Sequence, residues 1–126
     1  MNQRQTIDQC RAAAALDLVN EWRQDRQLKH AELAAQIKDA PVRILQCGLG
    51  QTLAFLTSKS SPLPNALGNW INARIPPGQG ENTDLLLRII HGNRFFLQRA
   101  TAETMAYLEW LKRFAEALRL GRETTP

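Results

Sequence analysis

Side chains able to carry reaction chemistry are few in this sequence, and they are scattered. His30 and His91 fall in different stretches, and neither has neighbours at metal-ligand spacing. A zinc site needs three or four converging N, S or O donors. Each histidine therefore reads as a surface or capping residue, and neither a metal nor a cofactor is expected. Asp84 has only Glu81 as a nearby carboxylate, and helix capping explains it better than paired acid–base work. Gly48-Leu-Gly50-Gln-Thr has the look of a phosphate loop. It lacks the Lys-Ser/Thr of a P-loop and the third glycine of a dinucleotide site, and no strand precedes it. Gly48 and Gly50 are accordingly read as helix close-packing positions. Cys10 and Cys47 are isolated, without a CxxC, and read as reduced, buried thiols. No catalytic constellation emerges.

The cations are more informative. Lys and Arg number 16 against 12 Asp and Glu, a net charge of +4 that permits an anionic partner without demanding one. Their distribution says more than their sum. No acidic residue occurs between Ala40 and Gly80, and from Ala40 through Ala100 six Lys or Arg face two acids. Arg43, Lys59, Arg74, Arg88, Arg94 and Arg99 fit a stripe that offsets phosphate charge without reading bases. Lys112 and Arg113 are different. Glu109 precedes them by three and four residues, which on their own describes a solvated helix face.

The elements that carry these residues read as helices. A first helix runs from a cap at Thr6 or Asp8 to about Arg26, with Ile7, Cys10, Ala14, Leu18 and Trp22 on one face. A second covers roughly 28–39. Pro41 fits the first position of a third, where its missing N–H costs nothing. Val42, Leu45, Leu49, Leu53 and Leu56 then recur at helical spacing. A short helix at about 65–74 and another through Leu85–Ile90 flank the breaker Ile75-Pro-Pro-Gly-Gln-Gly80. The last begins between Arg94 and Thr101 and is closed by Gly121. Its stripe is Leu97, Thr101, Thr104, Leu108, Leu111, Ala115 and Leu118, widened by Tyr107, Trp110 and Phe114. Trp110 is expected in the core.

No segment longer than a few residues has a β period. The expected fold is all-α: one five- to six-helix bundle-like domain over 1–126, with long first and last helices and a frayed tail at about 122–126. No apolar run is long enough to span a membrane. The first residues contain no apolar signal-peptide region, so the expected location is cytoplasmic.

Specific strings add to these periodicities. Pro41-Val-Arg-Ile is followed by Gly48-Leu-Gly-Gln-Thr-Leu-Ala-Phe55 and by Thr101-Ala-Glu-Thr-Met-Ala-Tyr-Leu-Glu-Trp-Leu-Lys-Arg-Phe-Ala-Glu-Ala117. In order and separation they resemble the small all-helical subunit of the type III-B CRISPR RNA-guided effector, the Cmr complex. The resemblance implies a non-catalytic subunit that stacks with further copies of itself beside the backbone subunits. With the large polymerase-like subunit, it would line the channel holding guide and target RNA. It also implies RNA-backbone contacts, for which Arg43, Lys59, Arg94, Arg99, Lys112 and Arg113 are the candidates. Family members often carry Tyr-Arg where this chain has Leu97-Gln98, which turns attention to Arg94 and Arg99. The alternative is a protein-interaction module whose cations, with Trp70 or Trp110, serve subunit contacts.

Overall fold

The computed structural model describes residues 4–122. Helices α1 (Ile7–Gln24), α2 (His30–Ser58), α3 (Leu63–Arg74), α4 (Leu85–His91) and α5 (Arg94–Ala117) follow one another, with no strand among the described residues. The all-α expectation holds, and α1 and α5 are both long. Of the expected frayed tail, all but Arg122 lies outside the described residues. The chain divides into two compact units, Met1–Lys38 with Ala106–Pro126, and Asp39–Met105.

In the first unit, α1 opens on a capping box. Thr6 Oγ1 accepts from the Gln9 amide at 3.0 Å, and the Thr6 amide donates to Gln9 Oε1 at 2.7 Å. Two orphan donors of the first turn are thereby satisfied. The buried side of α1 is Ala15, Val19 and Trp22. Contrary to the expected stripe, Ile7 is 48% exposed, and Cys10, Ala14 and Leu18 are only half-buried. Leu33, Ile37, Tyr107, Leu108, Leu111, Ala115 and Leu120 are buried in the same unit. Leu118, expected in the core, lies just past the helix end and is half-buried.

Gly121 does more than close α5. Arg119 takes the left-handed turn there (φ 61°), with the Leu120 amide bonded to the Ala115 carbonyl in a Schellman-type pattern. Gly121 itself has φ 78° and runs against the start of α2, where an added Cβ would lie 2.7 Å from Ala31 Cα. Only glycine meets both demands.

In the second unit, α2 breaks at Gly48, whose φ of 87° and ψ of 163° are non-helical. The expected boundary at Pro41 is thus displaced. Pro41 lies inside the helical run, and the chain turns seven residues later. The break resets the phase of the apolar stripe. Before it the buried positions are Leu33, Ile37, Ala40 and Ile44, spaced four, three and four; after it they are Leu49, Leu53 and Leu56. Val42 and Leu45 consequently face outward, 56% and 77% exposed, instead of lining the core. Gly48 is not a close-packing glycine, because an added Cβ would meet nothing within 4 Å. Gly50 has neighbours at ordinary van der Waals distance, with Ile89 Cγ2 3.6 Å from an added Cβ.

Helices α3 and α4 pack closely at Gly68, where an added Cβ would lie 3.5 Å from Leu85 Cβ. Asp84 caps α4 by accepting from the Leu87 amide, as expected. Asn93 opens α5 in the same way, its Oδ1 accepting from the Phe96 amide at 2.9 Å. Trp70 Nε1 donates to Glu103 at 2.8 Å and links α3 to α5.

Candidate nucleic-acid interface

Each candidate cation depends on its helix for its surroundings. In the second unit, Arg43 sits before the Gly48 break and Phe55 after it. A straight helix would separate them by about 18 Å along its axis. The break instead brings the Arg43 guanidinium carbon 3.8 Å from the centre of the Phe55 ring. Lys59, four residues beyond Phe55 and just past the end of α2, places its Nζ 5.5 Å from the same ring centre. Both distances fall within the range of cation–π attraction. The four-residue spacing of Phe55 and Lys59 puts them on one face of the last turn, and the chain leaves the helix just beyond, with Ser60 in the left-handed region (φ 57°) and the Ser61 amide on the Leu56 carbonyl. Among the described residues, neither cation has a carboxylate within ion-pair distance.

Arg94 and Arg99 are both exposed on the first turns of α5. Five residues of helix rotate them about 140° apart, so they occupy different sides rather than one stripe. Arg99 instead shares a side with Phe95, four residues earlier and 75% exposed. Arg88 leaves the expected stripe altogether. It is buried, its Nη1 donates to Asn72 Oδ1 and the Ile75 carbonyl at 2.7 Å each, and its guanidinium lies 4.3 Å from the Phe96 ring centre. Arg88 therefore ties α4 to the end of α3. Arg74 is half-buried, with its Nε lacking a partner among the described residues.

Lys112 and Arg113 belong to the first unit and diverge. Arg113 pairs with Glu109 at 3.5 Å, with both side chains more than half exposed, a geometry that contributes little energy. Lys112 is half-buried and lines a groove of about 280 Å³ together with Ala31, Ala34, Ala35, Lys38 and Ala115. Trp110 is half-buried rather than in the core. Its Nε1 donates to Asp8 Oδ1 at 3.0 Å, and its ring stacks on Phe114 with centroids 5.6 Å apart. Asp8 also accepts from Arg11 at 3.1 Å. The Trp110 hydrogen bond, then the one from Arg11, holds the Asp8 carboxyl below its ordinary pKa.

The other chemistry-bearing residues stay apart. His30 binds the Asp25 carbonyl through its ring at the start of α2. Both cysteines are free; Cys47 is exposed rather than buried, and Cys10 is half-buried. Among the described residues no group of three His, Cys, Asp or Glu could hold a metal ion, and no helix is long and apolar enough to cross a membrane.

Phe55 escaped the sequence reading. Its spacing to Lys59 is visible there, but its meeting with Arg43 depends on the turn at Gly48. The helices and this cation–aromatic cluster together define a small all-helical protein whose exposed chemistry is charge on an apolar frame. The chain belongs to the Cmr5 family: the family model described as CRISPR-associated protein (Cas_Cmr5) matches residues 7–118. It is 36% identical over 78 residues to the CRISPR system Cmr subunit Cmr5 of Thermus thermophilus, an alignment covering 62% of this chain and 67% of that relative. These matches bear out the resemblance carried by the Gly-Leu-Gly-Gln and Trp-Leu-Lys-Arg-Phe-Ala-Glu-Ala strings.

Proposed function

We propose that this chain is a non-catalytic architectural subunit of an RNA-guided type III-B CRISPR effector, acting in cytoplasmic antiviral and anti-plasmid defence. It stacks with further copies of itself beside the backbone subunits and, with the large polymerase-like subunit, lines the channel that holds guide and target RNA. The observation that carries this reading is the pair Arg43 and Lys59, converging on Phe55 without a carboxylate partner among the described residues. Exposed Arg94 and Arg99 add two further cations in the same unit. Such groups neutralise phosphates whatever the sequence, and base pairing between guide and target supplies the specificity. Lys112 contributes from the first unit; Arg113 does so by exchanging Glu109 for a phosphate.

Exposed apolar side chains favour a second role alongside the first. Val42, Leu45, Ile90 and Phe95 are each more than half exposed, which suits contact with neighbouring subunits. If the cations served those contacts alone, the chain would be a protein-interaction module. Assembled complexes carrying Arg94→Glu with Arg99→Glu separate the readings. The RNA-contact reading expects weaker target-RNA retention and a shallower salt dependence with subunit composition intact. Unchanged retention and slope in an intact complex would remove both residues from the interface.

A further inference from the structure

We infer that Arg43, Phe55 and Lys59 form a single phosphodiester-binding unit, with Phe55 as its positioning residue and the Gly48 break as the feature that assembles it. The inference rests on the RNA-contact reading above and sharpens it to one site and one ligand group.

Three observations point the same way. First, two like charges sit at one aromatic ring, 3.8 Å and 5.5 Å from its centre. Cation–π attraction accounts for one cation there, but the second is repelled by the first, and that repulsion is relieved when an anion binds both. Second, no carboxylate on the local chain can supply the anion, because Ala40 through Gly80 contains none. Among the described residues, the Arg43 guanidinium has no hydrogen-bond acceptor and Lys59 Nζ has none either. Arg11 and Arg113, by contrast, each hold a carboxylate, and Arg88 spends its Nη1 donors on Asn72 and Ile75. Third, the aromatic platform is half-buried, so it limits the rotamers of two long side chains that would otherwise lose entropy on binding.

The chemistry fits a phosphodiester. It has two non-bridging oxygens and one charge, and charge-assisted N–H···O bonds of about 2.7–2.9 Å can reach it from a guanidinium on one side and an ammonium on the other. Gly48 sets the geometry. Its φ of 87° turns the chain so that Arg43 meets the ring of Phe55, twelve residues further on.

The test uses the assembled effector with a single-stranded target RNA and reads affinity against salt concentration. Each phosphate contact on a single strand contributes about 0.7 to the logarithmic slope. Arg43→Gln with Lys59→Gln is expected to lower the slope by about 0.7 for each copy of the subunit in the complex, the value for one shared phosphate per copy. A fall of about 1.4 per copy would mean two separate phosphates and would overturn the single-site inference while leaving RNA contact in place. An unchanged affinity and slope would overturn RNA contact at this site altogether. Phe55→Leu leaves the charge unchanged and is expected to weaken binding about three- to tenfold, with Phe55→Tyr restoring it. Wild-type affinity in a Phe55→Leu complex of normal thermal stability would remove Phe55 from the site. The charge-neutral pair remains decisive if the Phe55 variant fails to fold.

Discussion

Replacing Gly48 by alanine isolates a conformational demand from a packing demand. Gly48 has φ 87° and ψ 163°, a region populated almost exclusively by glycine, and holding another residue there costs on the order of 1–3 kcal/mol. An added Cβ meets no packed neighbour within 4 Å, so the effect comes from the local backbone conformation alone. A less flexible unfolded chain offsets part of the loss, by about 0.4–1 kcal/mol. Gly50→Ala is the internal control. Its backbone is helical, its nearest neighbours are at ordinary distance, and alanine gains up to about 1 kcal/mol of helix propensity. For a chain of this size each kcal/mol moves the melting temperature by about 4 °C. Thermal melts followed by far-UV circular dichroism should therefore show Gly48→Ala lowered by up to about 10 °C and below Gly50→Ala, which is level or slightly raised. A Gly48→Ala chain as stable as Gly50→Ala would refute the assignment of the break to Gly48. Because straightening the chain would carry Phe55 away from Arg43, Gly48→Ala should also weaken target-RNA binding by the assembled complex.

Two further outcomes follow from buried and paired groups. Thr104 is fully buried with a hydroxyl that has no partner among the described residues, so isosteric Thr104→Val should stabilise the chain by about 1 kcal/mol. Chemical denaturation checks this, and a loss of stability would show that the hydroxyl is bonded. Asp8 has a lowered pKa because it accepts from Trp110 and then Arg11. A depressed folded-state pKa adds stability that is present above the unfolded carboxylate value of about 3.9 and is lost as pH falls through the folded one. The advantage of wild type over Asp8→Asn in melting temperature should thus shrink as pH drops below about 4. A constant difference from neutral pH to pH 3 would contradict it.

Much of the architecture was legible because helix signals are local. Thr6, Asp84 and the Pro-Pro-Gly breaker marked ends of elements through caps and missing donors, which one or two turns of sequence contain. The break at Gly48 was not. Pro41 is the stronger breaker by composition, yet it is accommodated within the helical run, and a glycine with a positive φ does the turning. That choice reset the stripe and turned Val42 and Leu45 outward. The scarcity of acids from 40 to 80 pointed to a cation-rich unit, since net charge is a sum over residue types. What each cation does is a three-dimensional matter. Arg88 and Arg43 look alike in sequence, but one is spent inside on Asn72 and Ile75, and the other meets Phe55 across the break. Trp110 shows the same limit, because its partner Asp8 is remote in sequence.

Photo-cross-linking of a thio-substituted target RNA in the assembled effector, with peptides identified by mass spectrometry, tests the central claim most directly. RNA contact by the cations of the second unit predicts adducts in the segments around Arg43 to Lys59 and Arg94 to Arg99. Bound target RNA that cross-links to other subunits and never to these two segments would contradict it.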